Sequence, residues 1–202
     1  MTRWFIVASV AALALAGTGC RQTRPAPDVS VIPLGGDFTL TDHDGRRFEL
    51  SSLRGKVVLI FFGYTFCPDV CPTTMSKLGS VYRRLGADAT RVQTLYVSVD
   101  PERDTPAVLK ADMATFSVNA TGLTGSKADI DTVVAKFGAS YEIVPTPGSA
   151  ARYTVSHTTW LYAMDGAGRM RMVFPYDATV DDIVEGIRAV LAVAPASPPA
   201  PS

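Results

Sequence analysis

The segment KVVLIFFGYTFCPDVCPTTM, residues 56–75, decides which fold the sequence predicts. Its first part, KVVLIFFGY, is a near-continuous run of β-branched and aromatic side chains, which is typical of a strand buried on both faces of a sheet. Apolar residues then recur at helical spacing, at Met75, Leu78, Tyr82 and Leu85. We therefore predict a strand, a turn that contains Cys67 and Cys71, and a helix that follows the cysteines.

The flanking sequence supplies the other elements of an α/β domain. Asp44 and Gly45 lie between two alternating apolar runs, which is a strong signal for a β-hairpin. Residues 92–100 form a second buried-strand pattern, and residues 158–176 contain two strand patterns around a glycine-rich turn. Helical patterns occupy residues 105–116, 127–138 and 179–193. The predicted order is hairpin, strand, helix, strand, helix, helix, hairpin, helix.

This order of elements predicts a thioredoxin-like fold. The two buried strands are connected through a helix, which implies a parallel core, and the later hairpin adds antiparallel pairing. A cysteine pair at the junction of the first core strand and its helix is the thioredoxin-like arrangement. We expect a central mixed sheet flanked by helices, with an N-terminal β-hairpin extension.

Composition limits the number of domains and the class of partner. The chain has 202 residues, with 19 basic and 19 acidic side chains and a formal net charge of zero. Because there is no basic surplus, we expect no nucleic-acid partner. The length suits one ordinary domain with extensions. We place the domain at residues 31–193, after a flexible tether over residues 20–30 and before a disordered Pro/Ala-rich tail over residues 194–202.

The N-terminus predicts export. Residues 1–19 combine Arg3, an apolar run and small residues, which is the layout of a secretory signal. The sequence LAGTGC ends at Cys20 and resembles a bacterial lipoprotein signal, in which the cysteine becomes the lipidated first residue. Cleavage after Ala16 and an uncleaved anchor are the alternatives. All three place the domain outside the cytoplasm, in an oxidising compartment.

The cysteine pair has three possible roles: a structural disulfide, a redox pair or part of a metal site. A strand-to-helix turn offers free N–H groups and the positive end of the helix dipole, which favour thiolate. Thiolate serves both disulfide exchange and soft-metal binding. Three residues separate Cys67 from Cys71, so a disulfide requires local adjustment, whereas a metal ion accepts the wider separation. A purely structural disulfide would close so small a loop that it adds little stability.

A metal site needs more than two sulfur atoms, and the chain has only two histidines. His43 lies between Asp42 and Asp44 in the first hairpin and is typical of a turn residue. His157 directly precedes a predicted buried strand, where a histidine is usually a satisfied polar residue. A thiolate pair at the same edge of the sheet makes His157 the stronger candidate ligand.

The sequence also suggests roles for four residues that we expect to lie around the cysteines. We expect Phe66 to pack in the core, and we leave Tyr64 open between core packing and partner docking. Asp100 and Arg103 fit a loop near the site, with turn formation and helix capping as an equally weighted role.

Four stretches of the sequence resemble the Sco/SenC family, which includes PrrC-like proteins. They are GYTFCPDVCPTTM, YVSVDPERDTPAVLKADM, TGLTGSKADIDTVVAKFGASY and YTVSHTTWLYAMDGAGRM, and with their connections they cover nearly all of residues 31–193. The resemblance implies a thioredoxin-like fold and one bound copper ion, as Cu(I) or Cu(II). Carried over by motif, the copper ligands are Cys67, Cys71 and His157. Ser156 departs from the family, which usually has Asp before the ligand histidine.

The resemblance also implies a function and partners. A metallochaperone of this family helps to assemble the binuclear copper centre of cytochrome c oxidase subunit II, and a second periplasmic copper chaperone or thiol-disulfide protein is a further expected partner. The alternative is a thiol-disulfide reductase for the oxidase cysteines, with Cys67 and Cys71 as a reversible disulfide. A redox or copper sensor is a third hypothesis, without a positive sequence feature. We expect a binding and transfer protein rather than a turnover enzyme. Its expected place is the periplasmic face of the bacterial cytoplasmic membrane, through a lipid on Cys20 where the family commonly has a transmembrane helix.

Overall fold

The computed structural model describes residues 26–193 of the chain. The predicted signal segment, the lipidation of Cys20, residues 20–25 of the tether and the C-terminal tail lie outside the described residues. Within residues 26–30, the carbonyl of Val29 accepts a hydrogen bond from Arg171 Nη1 at 2.8 Å. In the described part of the chain, no helix has the length and apolar character needed to cross a membrane.

A seven-stranded mixed sheet forms the centre of the domain. In spatial order its strands are β2 (Arg47–Glu49), β1 (Thr39–Asp42), β5 (Ala120–Thr124), β4 (Val92–Ser98), β3 (Val57–Gly63), β8 (Leu161–Met164) and β9 (Met170–Phe174). The three strands β3, β4 and β5 are parallel, and the strands on both sides of them pair antiparallel. This is the central mixed sheet that the sequence predicts, and both predicted hairpins, β1–β2 and β8–β9, are confirmed.

Helices pack against this sheet. In the described residues they are α1 (Val70–Leu85), α2 (Pro106–Met113), α3 (Lys127–Lys136) and α4 (Val180–Ala192), with short 3₁₀ helices at Leu50–Leu53 and Gly86–Arg91. The side chains of Thr105, Ser126 and Thr179 cap α2, α3 and α4 by accepting backbone N–H groups of the first turn. At α1 the N-cap residue Asp69 makes no such side-chain bond. The first turn of α1 therefore keeps N–H groups for another acceptor.

The strands β3 and β4 lie at the centre of the core. Every residue of both strands is buried, and they pair in parallel with Ile60 opposite Leu95. A strand covered on both faces has no polar side to alternate with the apolar one, which explains the continuous apolar run. The carboxyl end of β3 therefore leaves the core at a fixed point, directly before the two cysteines.

The structure also contains three strands that the sequence prediction lacks. One is β5, a short strand that contains Gly122 and lies between the helical patterns of residues 105–116 and 127–138. A Cβ atom on Gly122 would lie 2.9 Å from the Cβ atom of Leu109, so the glycine lets α2 pack closely on the strand. The other two, β6 (Tyr141–Pro145) and β7 (Tyr153–His157), form a separate antiparallel sheet. Four of the five residues of β6 are exposed, so no buried pattern marks it as a strand.

Candidate metal centre

The two cysteines lie between the end of β3 and the first turn of α1. We call residues 64–71 the cysteine segment. Cys67 is half-buried in the turn, Cys71 is buried in the helix, and both are free thiols. The backbone N–H of Cys67 donates to the carbonyl of Tyr64 at 3.2 Å, which closes the turn that carries the first sulfur atom.

The sulfur atom of Cys67 takes the place of a helix cap. The backbone N–H of Cys71 donates to Cys67 Sγ with a nitrogen–sulfur distance of 3.4 Å. Because Asp69 does not cap α1 through its side chain, this sulfur accepts one of the N–H groups that the first turn leaves free. The helix terminus therefore favours negative charge on Cys67.

The third member of the cluster comes from the separate sheet. We call residues 141–157, which contain β6 and β7, the histidine hairpin. His157 ends β7, and its Nε2 atom lies 3.5 Å from Cys71 Sγ. Its Nδ1 atom lies 3.0 Å from the carbonyl oxygen of Thr158. Since a carbonyl only accepts, we assign the ring proton to Nδ1, which leaves the lone pair of Nε2 directed at the thiols.

Hydrogen bonding inside the cluster makes the two thiols unequal. The bond from the Cys71 thiol lowers the pKa of Cys67 well below its ordinary value, against the opposing effect of burial. The same bond, together with burial, raises the pKa of Cys71. Cys67 is thus the cysteine that favours thiolate, and Cys71 is the one that favours the protonated thiol, which is the asymmetry that a nucleophilic thiol requires.

The donor set suits a soft metal ion. Ligand atoms of Cys67, Cys71 and His157 all lie within 4.8 Å of one another. Metal–ligand bonds of about 2.0–2.3 Å place the three ligand atoms of a trigonal ion roughly 3.5–4.0 Å apart, so the three side chains need only approach one another slightly to close the site. Two thiolates and one imidazole fit Cu(I) in a trigonal arrangement. The usual closed set of four ligands for structural zinc is not met by these three.

The structure separates the two histidines. His43 lies in the turn between β1 and β2, as expected, and its Nδ1 atom accepts the backbone N–H of Gly122 at 3.1 Å.

The aromatic residues of the cysteine segment differ in burial. Tyr64 is buried, and its ring packs edge-to-face with that of His157, with centroids 5.8 Å apart. The prediction that Phe66 packs in the core is wrong, because this side chain is 57% exposed. A turn has no fixed periodicity, so its apolar residues do not show from sequence which way they face.

Asp100 and Arg103 do lie near the site, but they act beyond their own turn. Arg103 Nε donates to Asp100 Oδ2, and Arg103 Nη1 donates to the carbonyls of Ala151 and Tyr153 at 3.1 Å each. The hydroxyl of Tyr153 donates to Asp100 Oδ1 at 2.8 Å. The role of Tyr153 was missed, since its partner lies 53 residues away in the sequence. A half-buried aromatic residue in a short strand gives no signal for that contact.

Fold and site together define a class: a thioredoxin-like domain with two thiols and an imidazole at the end of its first core strand. Known proteins narrow this class. A family model for SCO1/SenC matches residues 28–192. The SCO2-like protein of Rickettsia felis is 33% identical over 157 residues, which cover 78% of this chain and 77% of that protein. The chain therefore belongs to the SCO1/SenC family.

Solved structures of relatives agree with this assignment. The structure of Bradyrhizobium japonicum ScoI with copper bound has a TM-score of 0.71 and 41% identity, over 78% of this chain and 99% of that one. The crystal structure of yeast Sco1 with copper bound has a TM-score of 0.73 and 32% identity, over 82% and 92% of the two chains. The predicted thioredoxin-like fold is thereby confirmed.

Proposed function

We propose that this chain binds one copper ion through Cys67, Cys71 and His157 and delivers it to the binuclear copper centre of cytochrome c oxidase subunit II. The observation that carries the proposal is the lone pair of His157 Nε2, which faces the two thiols within 4.8 Å. Copper is cargo here. A delivery site must release its ion. Three ligands at a partly exposed turn leave a coordination position open, through which a ligand of the acceptor can bind the ion.

A copper titration of the reduced protein under anaerobic conditions tests this proposal. A competing chelator sets the affinity scale, and the variant His157→Ala is measured beside the wild type. His43→Asn is the matched control, because it changes the other histidine and keeps an acceptor for the N–H of Gly122. We expect one copper per chain, with weaker binding in His157→Ala and unchanged binding in His43→Asn. Binding that is indifferent to His157 would count against the proposal.

Delivery is tested separately from binding. The copper-loaded protein is mixed with the metal-free soluble domain of subunit II, and the visible spectrum of the acceptor is followed. Because Cu(I) has no visible band of its own, a mild one-electron oxidant is then added. We expect the bands of the binuclear centre to appear at two copper-loaded chains per acceptor, and this chain to lose its copper. Tight binding without transfer would leave a copper-storing or copper-sensing protein.

Thiol-disulfide exchange is the second candidate function, and the unequal thiols favour it. The thiolate of Cys67 would attack a disulfide of the target, form a mixed disulfide and release one target thiolate. Cys71 would then lose its proton to that thiolate and attack Cys67 Sγ, which forms the Cys67–Cys71 disulfide and releases the second target thiolate. The target gains two electrons and the cysteine pair loses two.

The two functions differ in their need for His157. We expect His157→Ala to retain most of its exchange rate with a disulfide-bonded peptide that carries the subunit II cysteines, while its Cu(II) binding falls strongly. Cys67→Ser should abolish both properties. An equal loss of exchange and copper binding in His157→Ala would show that the two functions cannot be separated in this way.

We also propose that the mature chain starts at a lipidated Cys20 on the periplasmic face of the cytoplasmic membrane, with the domain at residues 31–193 beyond a short tether. Support comes from the sequence around Cys20. Mass spectrometry of the mature N-terminal peptide should find diacylglycerol on Cys20. In the Cys20→Ala variant the domain should leave the membrane fraction. An unmodified N-terminus after Ala16 would favour simple secretion.

A further inference from the structure

The histidine hairpin lies outside the main sheet, so its position needs a separate explanation. Among residues 26–193, β6 and β7 pair with each other and with no strand of the seven-stranded sheet. The hairpin nevertheless places His157 Nε2 within 3.5 Å of Cys71 Sγ. Contacts other than sheet hydrogen bonds must therefore fix the distance between the third ligand and the cysteines.

Arg103 makes such contacts to the strand that carries His157. Its Nη1 group donates to the carbonyl of Tyr153, the first residue of β7, and to that of Ala151, two residues before the strand. Its guanidinium carbon lies 3.7 Å from the ring centroid of Tyr153. The side chain is only 12% exposed, so these contacts are made in a setting of weak solvent screening.

The same guanidinium also contacts the cysteine segment. Its carbon lies 4.8 Å from the ring centroid of Phe66 and 5.7 Å from that of Tyr64. Phe66 directly precedes Cys67 in the sequence. Arg103 therefore touches both segments that supply ligands, through hydrogen bonds on one side and aromatic faces on the other.

Asp100 holds this arginine in orientation. Its carboxylate is buried two residues beyond the end of β4 and accepts from Arg103 Nε and from the hydroxyl of Tyr153. Its backbone N–H donates to Ser98 Oγ at 3.0 Å, which ties the loop to the main sheet. The carboxylate thus connects the guanidinium group of Arg103 and the hydroxyl of Tyr153 to the end of the central sheet.

We propose that Arg103 is a positioning residue that sets the distance between His157 and the cysteine pair, with Asp100 and Tyr153 as its supports. The inference rests on the proposed copper site and adds a determinant of its affinity. Arg103 touches none of the three ligand atoms. Loss of Arg103 should leave the thiols reactive and loosen the placement of the imidazole.

Arg171 provides a matched control in the same chain. Its Nε donates to Asp165 Oδ2 at 2.7 Å and its Nη1 donates to the carbonyl of Val29, so it too joins a buried aspartate to a backbone carbonyl. It lies on β9, two strands away from β3 in the sheet. Arg171→Met therefore measures how the loss of a buried arginine–aspartate pair changes the stability of the protein, without a change in the contacts of the cysteine segment or the histidine hairpin.

The test compares Arg103→Met, Arg103→Lys and Arg171→Met as full-length chains. We expect Arg103→Met to lose about 10- to 100-fold in Cu(II) affinity, the usual range for residues that orient a ligand, with an altered thiolate-to-copper absorption band. Arg103→Lys should rescue little, because an ammonium group lacks the planar fork. Arg171→Met should bind copper like the wild type even where its melting temperature falls. Wild-type affinity and spectrum in Arg103→Met would overturn the proposal, as would an equal loss in Arg171→Met.

Two further measurements separate this inference from the copper proposal. In metal-free protein, NMR of the His157 ring nitrogens should show one ordered tautomer in the wild type and averaged signals in Arg103→Met. That result decides the positioning role even where the wild type binds no copper. If Arg103→Met does not fold, Tyr153→Phe removes one support and keeps the stacked ring, and we expect a smaller loss in the same direction. A wild-type ring spectrum and affinity in Tyr153→Phe would then count against the proposal.

Discussion

The cysteine segment and the histidine hairpin meet at one point but are held in different ways. The cysteine segment connects β3, in which every residue is buried, to the sixteen-residue helix α1. In the hairpin, four of the five residues of β6 are exposed, and β7 joins the hairpin to the core through buried Val155 and through polar and aromatic contacts. Two of the candidate ligands therefore lie beside a fully buried strand, and the third lies on a hairpin whose outer strand is exposed.

Hydrogen exchange should give the largest difference between the two regions. Amides of β3 are expected to exchange only through global unfolding, which costs about 5–15 kcal/mol in domains of this kind. Amides of β6 should exchange through local opening at a free energy several kcal/mol lower. Exchange measured by NMR or mass spectrometry checks this expectation. Equal exchange free energies in β3 and β6 would mean that the hairpin is part of the cooperative core.

A matched pair of isoleucines tests the same contrast by mutation. Ile60 in β3 is fully buried, whereas Ile143 in β6 is 43% exposed. Ile60→Ala should lower the free energy of unfolding by about 2–5 kcal/mol, because it leaves a cavity in a packed core. Ile143→Ala should change it by less than about 0.5 kcal/mol. Both values come from denaturant unfolding, and similar losses would contradict the comparison.

A fall in pH should change the free energy of unfolding in opposite directions through two carboxyl groups, one bonded to the cysteine segment and one bonded to the histidine hairpin. Asp104 accepts from Thr65 in the cysteine segment, and burial raises its pKa above 3.8. Asp131 accepts from Tyr141 in the hairpin, and the hydrogen bonds of Lys127 and then Tyr141 lower its pKa below 3.8. Protonation of Asp104 thus favours the folded state as pH falls through its raised pKa towards 3.8. The stability that Asp131 contributes is present above 3.8 and is lost as pH falls through its lowered pKa.

Carboxyl carbon NMR measures the two titrations directly. We expect Asp104 to titrate above 3.8 and Asp131 below it, and both to return to ordinary values in urea. The variant Tyr141→Phe should move the pKa of Asp131 back towards 3.8 and leave that of Asp104 unchanged. Shifts of the two carboxyl groups in the same direction would contradict the assigned causes.

A second matched pair, Phe66 and Phe62, tests the contrast within one apolar run. The ring of Phe66 is exposed and stacks on Arg103, so Phe66→Ala should lower the free energy of unfolding by about 0.5–1 kcal/mol, the range of an exposed cation–π contact. Phe62, in the same apolar run, is buried, and Phe62→Ala should cost about 3–5 kcal/mol. Denaturant unfolding compares the two. A decrease of several kcal/mol in the free energy of unfolding of Phe66→Ala would show that Phe66 packs in the core.

The same contrast explains which features could be predicted from the sequence. The strand β3 and the helix α1 follow from apolar periodicity, because burial on fixed faces leaves a pattern in consecutive residues. The histidine hairpin has no such pattern, since most of β6 is exposed and its attachments are single contacts between distant residues. His157 is predicted as a ligand from its place near the thiol pair and from family resemblance rather than from periodicity. Arg103 was placed near the site, but its link between the two segments depends on contacts that only the folded chain reveals.

The separation of the ligands along the chain has a consequence during synthesis. Cys71 and His157 are 86 residues apart, and elongation at about 5–20 residues per second takes roughly 4 to 17 s to cover that distance. For this interval the nascent chain presents two thiols without their imidazole partner. The thiols can meet oxidants or stray metal ions before the third ligand has been made. The order of these residues in the sequence thus leaves the cysteine pair without His157 until more than three quarters of the chain has been made.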